Sequence, residues 1–430
     1  MNVDKTNNTV DKVQELQRKL YLAAKGSETR RFHAIYDKVY RKDFLNKAWI
    51  KVKSNKGSAG IDNITIKEVE DYGVGKLIDE IHLELKENKY KPKPVKRVDI
   101  PKGNGKTRPL GIPTIKDRIV QTSAKMALEA IFEADFYSES YGFRPKRNQH
   151  QALESIRKAC NNSGNWVLDA DIKGYFNNIH HDKLMILIEK RVNDRRMLKL
   201  IRKWLKVGVM KDGVYEETEV GSPQGSPLST LLSNIYLNYM DGIWQKYYSS
   251  YGKLIRFADD YVIICKKYED VKNANTAIRY IMNLLGLTIN EDKTKIISLW
   301  NGKQAFDFLG YHNKKIKHKT RNGREYYQLI QWISKKASAK LKDKVRLVLA
   351  RRTLNQDLLD KVKELNSKIV GWRNYYGKSR FDKLQKLDFF INNRFVIWVN
   401  SKRKKRKRHN YYEEIRKIRS LGLEYIAYKS

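Results

Sequence analysis

The residues best suited to chemistry in this chain are two adjacent carboxylates, Asp259 and Asp260, within Leu254-Ile-Arg-Phe-Ala-Asp-Asp-Tyr-Val-Ile-Ile-Cys265. Runs rich in β-branched and aromatic residues flank them, which places the acids at the turn of a hairpin. Like charges there repel and add nothing to packing. A divalent cation, whose hard-oxygen ligands are carboxylates, is an economical neutraliser; an ordinary solvated turn is the alternative. A second acidic run weighs against that alternative. Trp166-Val-Leu-Asp-Ala-Asp-Ile-Lys-Gly-Tyr-Phe176 reads as a strand with Asp169 and Asp171 on one face, because strand side chains alternate. If it pairs beside the hairpin, Asp171 and Asp259 can share two metal ions. Such a clamp stabilises both the attacking and the leaving oxygen in phosphoryl transfer.

Other segments could hold a nucleotide. Gly221-Ser-Pro-Gln-Gly-Ser-Pro-Leu-Ser-Thr-Leu-Leu-Ser-Asn-Ile-Tyr-Leu237 reads as a loop and then a helix, with Leu228, Leu231, Leu232 and Ile235 on one buried face. The loop lets backbone approach a ligand, and Gln224 is its polar side chain. Val95–Ile100 alternates as a strand, and Lys102-Gly-Asn-Gly-Lys106 is a hairpin tip, since Asn-Gly favours tight turns. Lys102 and Arg108 sit beside that tip; Arg forks match phosphate oxygens and Lys acts as a point charge. Any exposed hairpin carries such residues, so on their own they decide little.

These segments need a scaffold, and the pattern along the chain supplies one. Residues 1–30 read as a polar, flexible extension with one short amphipathic stretch. From Arg31 to Glu87 apolar residues recur at helical spacing, broken by the turn-rich run from Ser54 to Asp62. Helices and short strands alternate to about residue 312, an α+β arrangement, and after Ser334 the pattern is helical to the end.

The motifs together resemble a known family. Phe257-Ala-Asp-Asp260 resembles the Tyr/Phe-x-Asp-Asp signature of reverse transcriptases, and Asp171-Ile-Lys-Gly-Tyr-Phe176 resembles their first metal-binding motif. Pro223-Gln-Gly225 is similar to their Pro-Gln-Gly box, Leu287–Thr294 to a later palm motif, and Phe306–Tyr311 to the segment that supports the primer end. Ser140-Tyr-Gly-Phe-Arg-Pro145, the Asn55–Asp62 turn and Leu365-Asn-Ser-Lys-Ile-Val-Gly-Trp-Arg-Asn-Tyr-Tyr376 resemble group II intron reverse transcriptase/maturases in particular. The resemblance implies a right-hand polymerase: fingers and palm over 31–315, then an all-α thumb/maturase domain over 325–430. It implies that Asp171, Asp259 and Asp260 are catalytic and hold two Mg²⁺ ions, with Mn²⁺ a substitute. Lys102, Arg108, Gln224, Gly225 and Lys293 are implied as dNTP neighbours, and Phe176 as the ring that crowds a ribose 2′-hydroxyl. Asp169 is as readily structural. The chain departs from the family at Ser226, Thr230 and Asn177, where relatives carry Gly, Pro and Asp.

Bulk charge fits this expectation. The 430 residues carry 88 Lys and Arg against 48 Asp and Glu, a net charge of +40, which points to a polyanionic partner bound in a salt-sensitive way. Residues 331–430 are the most basic part, with 28 Lys and Arg against 9 Asp and Glu. There Lys368 and Arg373 interleave with Trp372, Tyr375 and Tyr376, and Lys402, Arg403, Lys404, Lys405, Arg406, Lys407 and Arg408 form an unbroken basic run. These nine are candidate RNA contacts; a core helix and a solvated charge run are the alternatives. No apolar run spans a bilayer, the first residues lack a signal-peptide core, and the two cysteines, Cys160 and Cys265, offer no disulfide framework. The expected setting is the cytoplasm. The expected partners are an intron RNA, an RNA template with its DNA primer, dNTPs and a DNA target. No Cys/His cluster of an endonuclease module follows the thumb, so none is expected. A splicing cofactor with a vestigial polymerase, a retron enzyme and a domesticated reverse transcriptase are the rivals.

Overall fold

The structure is a computed structural model that describes residues 11–103, 106–211, 214–216, 221, 225–403 and 411–427. Eleven strands are present among them: β1 (Val95–Gly103), β2 (Lys106–Ile112), β3 (Trp166–Ala170), β4 (Val209–Lys211), β5 (Val214–Glu216), β6 (Lys253–Phe257), β7 (Asp260–Cys265), β8 (Lys295–Ser298), β9 (Ala305–Phe308), β10 (Tyr311–Lys319) and β11 (Glu325–Ile333). They form three sheets, ordered β2-β1-β4-β5, β6-β7-β3-β8 and β11-β10-β9. Helices make up most of the remainder, so the α+β expectation holds. The chain divides into two compact units: residues 1–152, 168–263 and 268–295, and residues 153–167, 264–267 and 296–430.

The first unit is organised by the Ile115–Phe132 helix. Its apolar residues go all the way round, and buried positions include Ile119, Val120, Ala124, Ala127, Leu128 and Ile131. A helix without a polar face must be surrounded by protein. Its buried polar groups are accordingly paired: Asp117 accepts from Tyr90 Oη at 2.5 Å, and Ser123 Oγ donates to the Val39 carbonyl at 2.7 Å. The Lys12–Lys25 helix is one of its neighbours, which corrects the expectation of a flexible segment over residues 1–30. Val13, Leu20 and Ala24 form a buried edge, Asp11 caps the helix, and Gln17 Nε2 donates to the Met126 carbonyl at 2.9 Å. The amphipathic stretch is thus a packed element, and residues 1–10 lie outside the described residues.

In the second unit, residues expected to open an all-helical region are instead strand β11. It pairs antiparallel with β10 over nine positions, from Tyr311 opposite Ile333 to Lys319 opposite Glu325. The inward positions of β10 are Tyr311, Asn313 and Lys315, two of them polar, so hydropathy alternation is absent. Their polarity is satisfied locally: Lys315 Nζ donates to Asn165 Oδ1 at 2.6 Å, and Gln331 Nε2 to Asn313 Oδ1 at 2.8 Å. Helices follow at Lys335–Val348, Leu358–Tyr376, Phe381–Lys402 and Tyr411–Ser420. Cys160 and Cys265 are buried thiols outside any disulfide, and burial pushes the Cys160 thiol up to about 12.

A tyrosine cluster ties the Leu358–Tyr376 helix to the β9–β10 turn. Tyr375 Oη donates to the Leu309 carbonyl at 2.8 Å, Tyr311 Oη donates to the Tyr375 carbonyl at 2.6 Å, and Trp372 stacks on Tyr376 with centroids 4.9 Å apart. Gly310 turns the chain there at φ +78°, and a Cβ at that position would collide with the Tyr376 hydroxyl. Gly310→Ala is therefore expected to destabilise the protein by about 1–3 kcal/mol, the usual scale for a strained backbone position. Adding Tyr376→Phe should restore part of that loss in a denaturant titration, whereas an unchanged double variant would mean the hydroxyl is not the obstacle.

Candidate active site

Asp171 follows the last residue of β3, and Asp259 and Asp260 stand at the start of β7, which runs beside β3 in the four-stranded sheet. The Asn165 amide at the start of β3 donates to the Cys265 carbonyl at the end of β7, so the two strands are antiparallel. Counting six residues along each from that bond places Asp171 opposite Asp259. Asp169 lies two residues back along β3. The charges reveal the same proximity. The Asp260 carboxyl is pushed up to about 6, first by loss of hydration and then by the negative charges of Asp259 and Asp171, with Lys293 opposing. Asp260 is exposed overall, so the loss of hydration is partial.

Among the described residues no group of three or more His, Cys, Asp or Glu side chains is gathered closely enough to hold a metal ion. Asp171 is turned to other partners: its Oδ2 accepts from Lys293 Nζ at 2.7 Å and from Asn290 Nδ2 at 3.1 Å. Lys293 therefore stands at the acidic cluster. Residues 288–290 reach it by pairing with the chain beyond β3, where the Asn290 amide donates to the Asp171 carbonyl at 2.8 Å. The donor chemistry is of the kind a divalent cation takes: three carboxylates lie near the same end of adjacent strands, and the Asp260 carboxyl is raised first by lost hydration and then by the charges of Asp259 and Asp171.

The turn bearing Asp259 is held from behind by a buried polar network. Arg256, 1 % exposed, donates through Nε to Asp241 Oδ1 and Oδ2 at 3.0 and 3.1 Å, and through Nη1 to Asn234 Oδ1 at 3.1 Å and the Ala258 carbonyl at 2.9 Å. Asn234 Nδ2 in turn donates to the Gly142 carbonyl at 2.8 Å. Residues 139–141 lie along β6, with the Arg256 amide donating to the Glu139 carbonyl and the Tyr141 amide to the Arg256 carbonyl, both at 2.9 Å. Gly142 then passes so near the Ala258 backbone that no Cβ fits between them. Ala258 itself is in the left-handed region at φ 58°. Sequence reasoning did not single out Arg256, Asp241 or Asn234. The signal available was two polar residues seven apart, Asn234 and Asp241, on the buried side of the apolar Ser229–Ile243 helix.

The residues expected to hold a nucleotide fall around this turn to different degrees. Phe176 is buried in the short Tyr175–Asn178 helix, its ring edge-on to Tyr175 with centroids 5.3 Å apart. Gly221, at φ +101°, packs against the backbone of Phe176 and Asn177, and its carbonyl meets His181 Nε2 at 2.6 Å. Gly225, at φ +114°, is pressed against Leu110 and Gly111 of β2. The two glycines thus fasten one end of the loop to the Phe176 turn and the other to the basic hairpin. Gln224, between them, lies outside the described residues. Ser226 and Thr230, the departures from the family pattern, both have partners: Ser226 Oγ donates to Gln121 Oε1 at 2.6 Å, and Thr230 Oγ1 accepts from Lys125 at 3.1 Å. Arg108 is exposed on β2 opposite Ile100, and Lys102 falls in a register irregularity of β1.

The candidate RNA contacts are partly engaged within the protein. Lys368 is 3.7 Å from Glu364, and Arg373 donates to Glu424 Oε2 at 2.7 Å and the Tyr425 carbonyl at 3.1 Å, strapping down the C-terminal segment. Lys402 donates to the carbonyls of Leu354 and Gln356 at 2.9 and 2.6 Å, and Arg403 pairs with buried Glu414 at 2.6 Å. Lys404, Lys405, Arg406, Lys407 and Arg408 lie outside the described residues. No helix among the described residues is long and apolar enough to cross a membrane.

Comparison with known proteins identifies the family. Residues 100–313 match the family described as reverse transcriptase (RNA-dependent DNA polymerase), and residues 338–415 match the maturase-specific domain of group II introns. Protein YkfC of Escherichia coli K12 is 33 % identical, over 72 % of this chain and 90 % of its own length. The group II intron-encoded protein LtrA of Lactococcus lactis subsp. cremoris is 29 % identical, over 87 % of this chain and 75 % of its own length. The matched reverse transcriptase domain defines an RNA-directed DNA polymerase, and the chain belongs to the group II intron reverse transcriptase/maturase family.

Two outcomes follow from the geometry. Gly142→Ala should push the Asp259 turn out of place and slow nucleotide addition about 10²-fold, the scale expected for a displacement on the order of 1 Å. Its far-UV circular dichroism should match wild type, and a wild-type rate would show that the close approach is not needed. Asp260 adds a pH signature. A carboxyl whose folded pKa is about 6 against an ordinary 3.8 opposes folding once ionised, so its penalty is complete above pH 6 and gone below 3.8. In chelator, Asp260→Asn should raise the melting temperature at pH 7 and leave it unchanged near pH 3.5.

Proposed function

We propose that this chain extends a DNA primer on an RNA template by attack of the primer 3′-hydroxyl on the α-phosphate of a dNTP. A bond forms between that oxygen and the phosphorus, the bridge to the β-phosphate breaks, and pyrophosphate leaves. The observation that carries this reading is the convergence of Asp171, Asp259 and Asp260 at one end of adjacent strands, where two of the charges are felt at the third.

Asp171, Asp259 and Asp260 would hold the divalent ions, which when bound acidify the 3′-hydroxyl and neutralise the departing pyrophosphate. The rest falls to the chain itself. Lys293 neutralises Asp171 and stands ready to meet negative charge at the leaving group. Arg108 and Lys102 on the hairpin offer cations to the triphosphate, a fork and a point charge. Gln224 would be a neighbour of the incoming dNTP, as the family resemblance implies. Phe176 closes the space a ribose 2′-hydroxyl would need, which favours deoxynucleotides.

The same protein binds its intron RNA and assists splicing and mobility, as reverse transcriptase and maturase domains in one chain entail. In mobility the copied template would be that RNA and the primer a cut DNA target. Its affinity for both follows from a charge of +40.

Primer extension on an RNA template with dNTPs and Mg²⁺ tests the catalytic assignment. Wild type should extend, and Asp259→Ala should lose extension by a factor of 10³ or more while keeping salt-sensitive RNA binding. A folded wild type that binds RNA and extends nothing would favour a splicing cofactor with a vestigial polymerase.

A further inference from the structure

A groove of about 1010 Å³ opens in the first unit among the Lys12–Lys25 helix, the end of the Ile115–Phe132 helix and the end of the Ser229–Ile243 helix. None of the catalytic acids or nucleotide candidates lines it, and of the family motifs named above only Ser140–Pro145 reaches it, through Arg144. Six of its lining residues are Lys or Arg and three are Asp or Glu. Two of the three acids are already engaged: Glu133 pairs with Arg144 at 2.7 Å and Asp135 with Arg191 at 2.9 Å. That leaves Lys25, Arg147, Lys190 and Lys246 facing a single carboxylate, Glu28.

The remaining cations sit among aromatic rings. Among the described residues Arg147, Lys190 and Lys246 make no ion pair. Each stands over a tyrosine, respectively Tyr141 at 5.6 Å, Tyr239 at 5.6 Å and Tyr247 at 5.0 Å from the ring centre. Lys25 Nζ donates to the Ala134 carbonyl at 3.2 Å. Tyr247 and Tyr21 are 62 % and 36 % exposed, and Tyr137 and Tyr239 are half-buried in the walls. Exposed rings on a wall bearing surplus positive charge are poorly suited to an apolar helix, and they suit a chain of alternating phosphates and flat bases. Only unpaired bases offer their faces for stacking, since a duplex hides them.

We propose that this groove is a second nucleic-acid site, separate from the polymerase centre, which takes an unpaired stretch of RNA. The phosphates lie against Lys25, Arg147, Lys190 and Lys246, and the bases stack on Tyr247 and Tyr21. The proposal rests on the RNA-binding part of the function above and gives it a surface; it does not depend on the catalytic assignment.

The test uses the full chain with Asp259→Ala, saturated with an RNA–DNA primer–template so that the polymerase cleft is filled. A fluorescein-labelled 12-nucleotide oligouridylate is then titrated and its anisotropy followed at several salt concentrations. Binding should persist under saturating primer–template. Lys190→Glu with Lys246→Glu, both exposed, should weaken it at least tenfold and make the salt slope shallower by about 1.4, from two phosphate contacts at about 0.7 each. Tyr247→Ala should also weaken it and Tyr247→Trp preserve it. Introduced into the active protein, the double charge reversal should leave short-template extension at the wild-type rate. Complete competition by primer–template, or unchanged affinity and slope in the double variant, would overturn the proposal. So would equally tight binding of an oligoglutamate peptide that is insensitive to Tyr247→Ala, which would make the partner an acidic protein. A wild type that extends no primer would count against the polymerase reading alone, because the groove is assayed in a catalytically silent chain.

Discussion

The buried ion pair between Arg256 and Asp241 is the constraint on which the site depends. Taking both charges out of water costs several kcal/mol each, and their attraction offsets this only when the remaining donors and acceptors are also satisfied. Here they are, and each partner adds a positional restriction. One guanidinium nitrogen bonds both Asn234 and the carbonyl of Ala258, so the residue before the catalytic pair is fixed to the helix behind it. Asn234 passes the restriction to Gly142, and the backbone of Arg256 holds the 139–141 segment through one isolated bridge. Removing one member would leave a buried charge unpaired, which typically costs 3–5 kcal/mol, roughly.

Glycines carry the same logic toward the substrate side. Gly142 and Gly225 each lie where another backbone comes too close for a side chain, Gly221 packs tightly against one, and both Gly221 and Gly225 have positive φ. These close approaches link the Asp259 turn, the Phe176 turn and the β2 strand of the basic hairpin without long side chains between them. Local precision of this kind is what nucleotidyl transfer demands, because the reacting oxygen and phosphorus must be held in line.

Much of this was legible in the sequence, and the reasons differ from place to place. Asp171, Asp259 and Asp260 announced themselves as carboxylates in β-rich runs with no packing use. The Ser229–Ile243 helix followed from its leucines. Strand β10 did not, because its inward positions include Asn313 and Lys315, whose burial depends on partners more than a hundred residues away for one and eighteen for the other. The role of Arg256 was hidden for a related reason: an arginine in a strand reads as exposed until the acid that neutralises it is located. Arg373 and Lys402 misled in the opposite sense. Both sit in stretches dense with positive charge, yet each is occupied with carbonyl or carboxylate groups of its own unit. Composition reports the sum of charge and is silent on which charges are already spoken for.

The two cysteines have a practical consequence. Cys160 and Cys265 are both enclosed, and burial holds the Cys160 thiol in its protonated, unreactive form at neutral pH. Electrophiles that modify thiolates, such as maleimides, would therefore find little to react with in the folded wild-type chain. A single cysteine placed on an exposed surface would become the one fast-reacting position. The protein is in this sense already prepared for site-specific dyes or spin labels, and distances between chosen points could be followed without first stripping out native thiols.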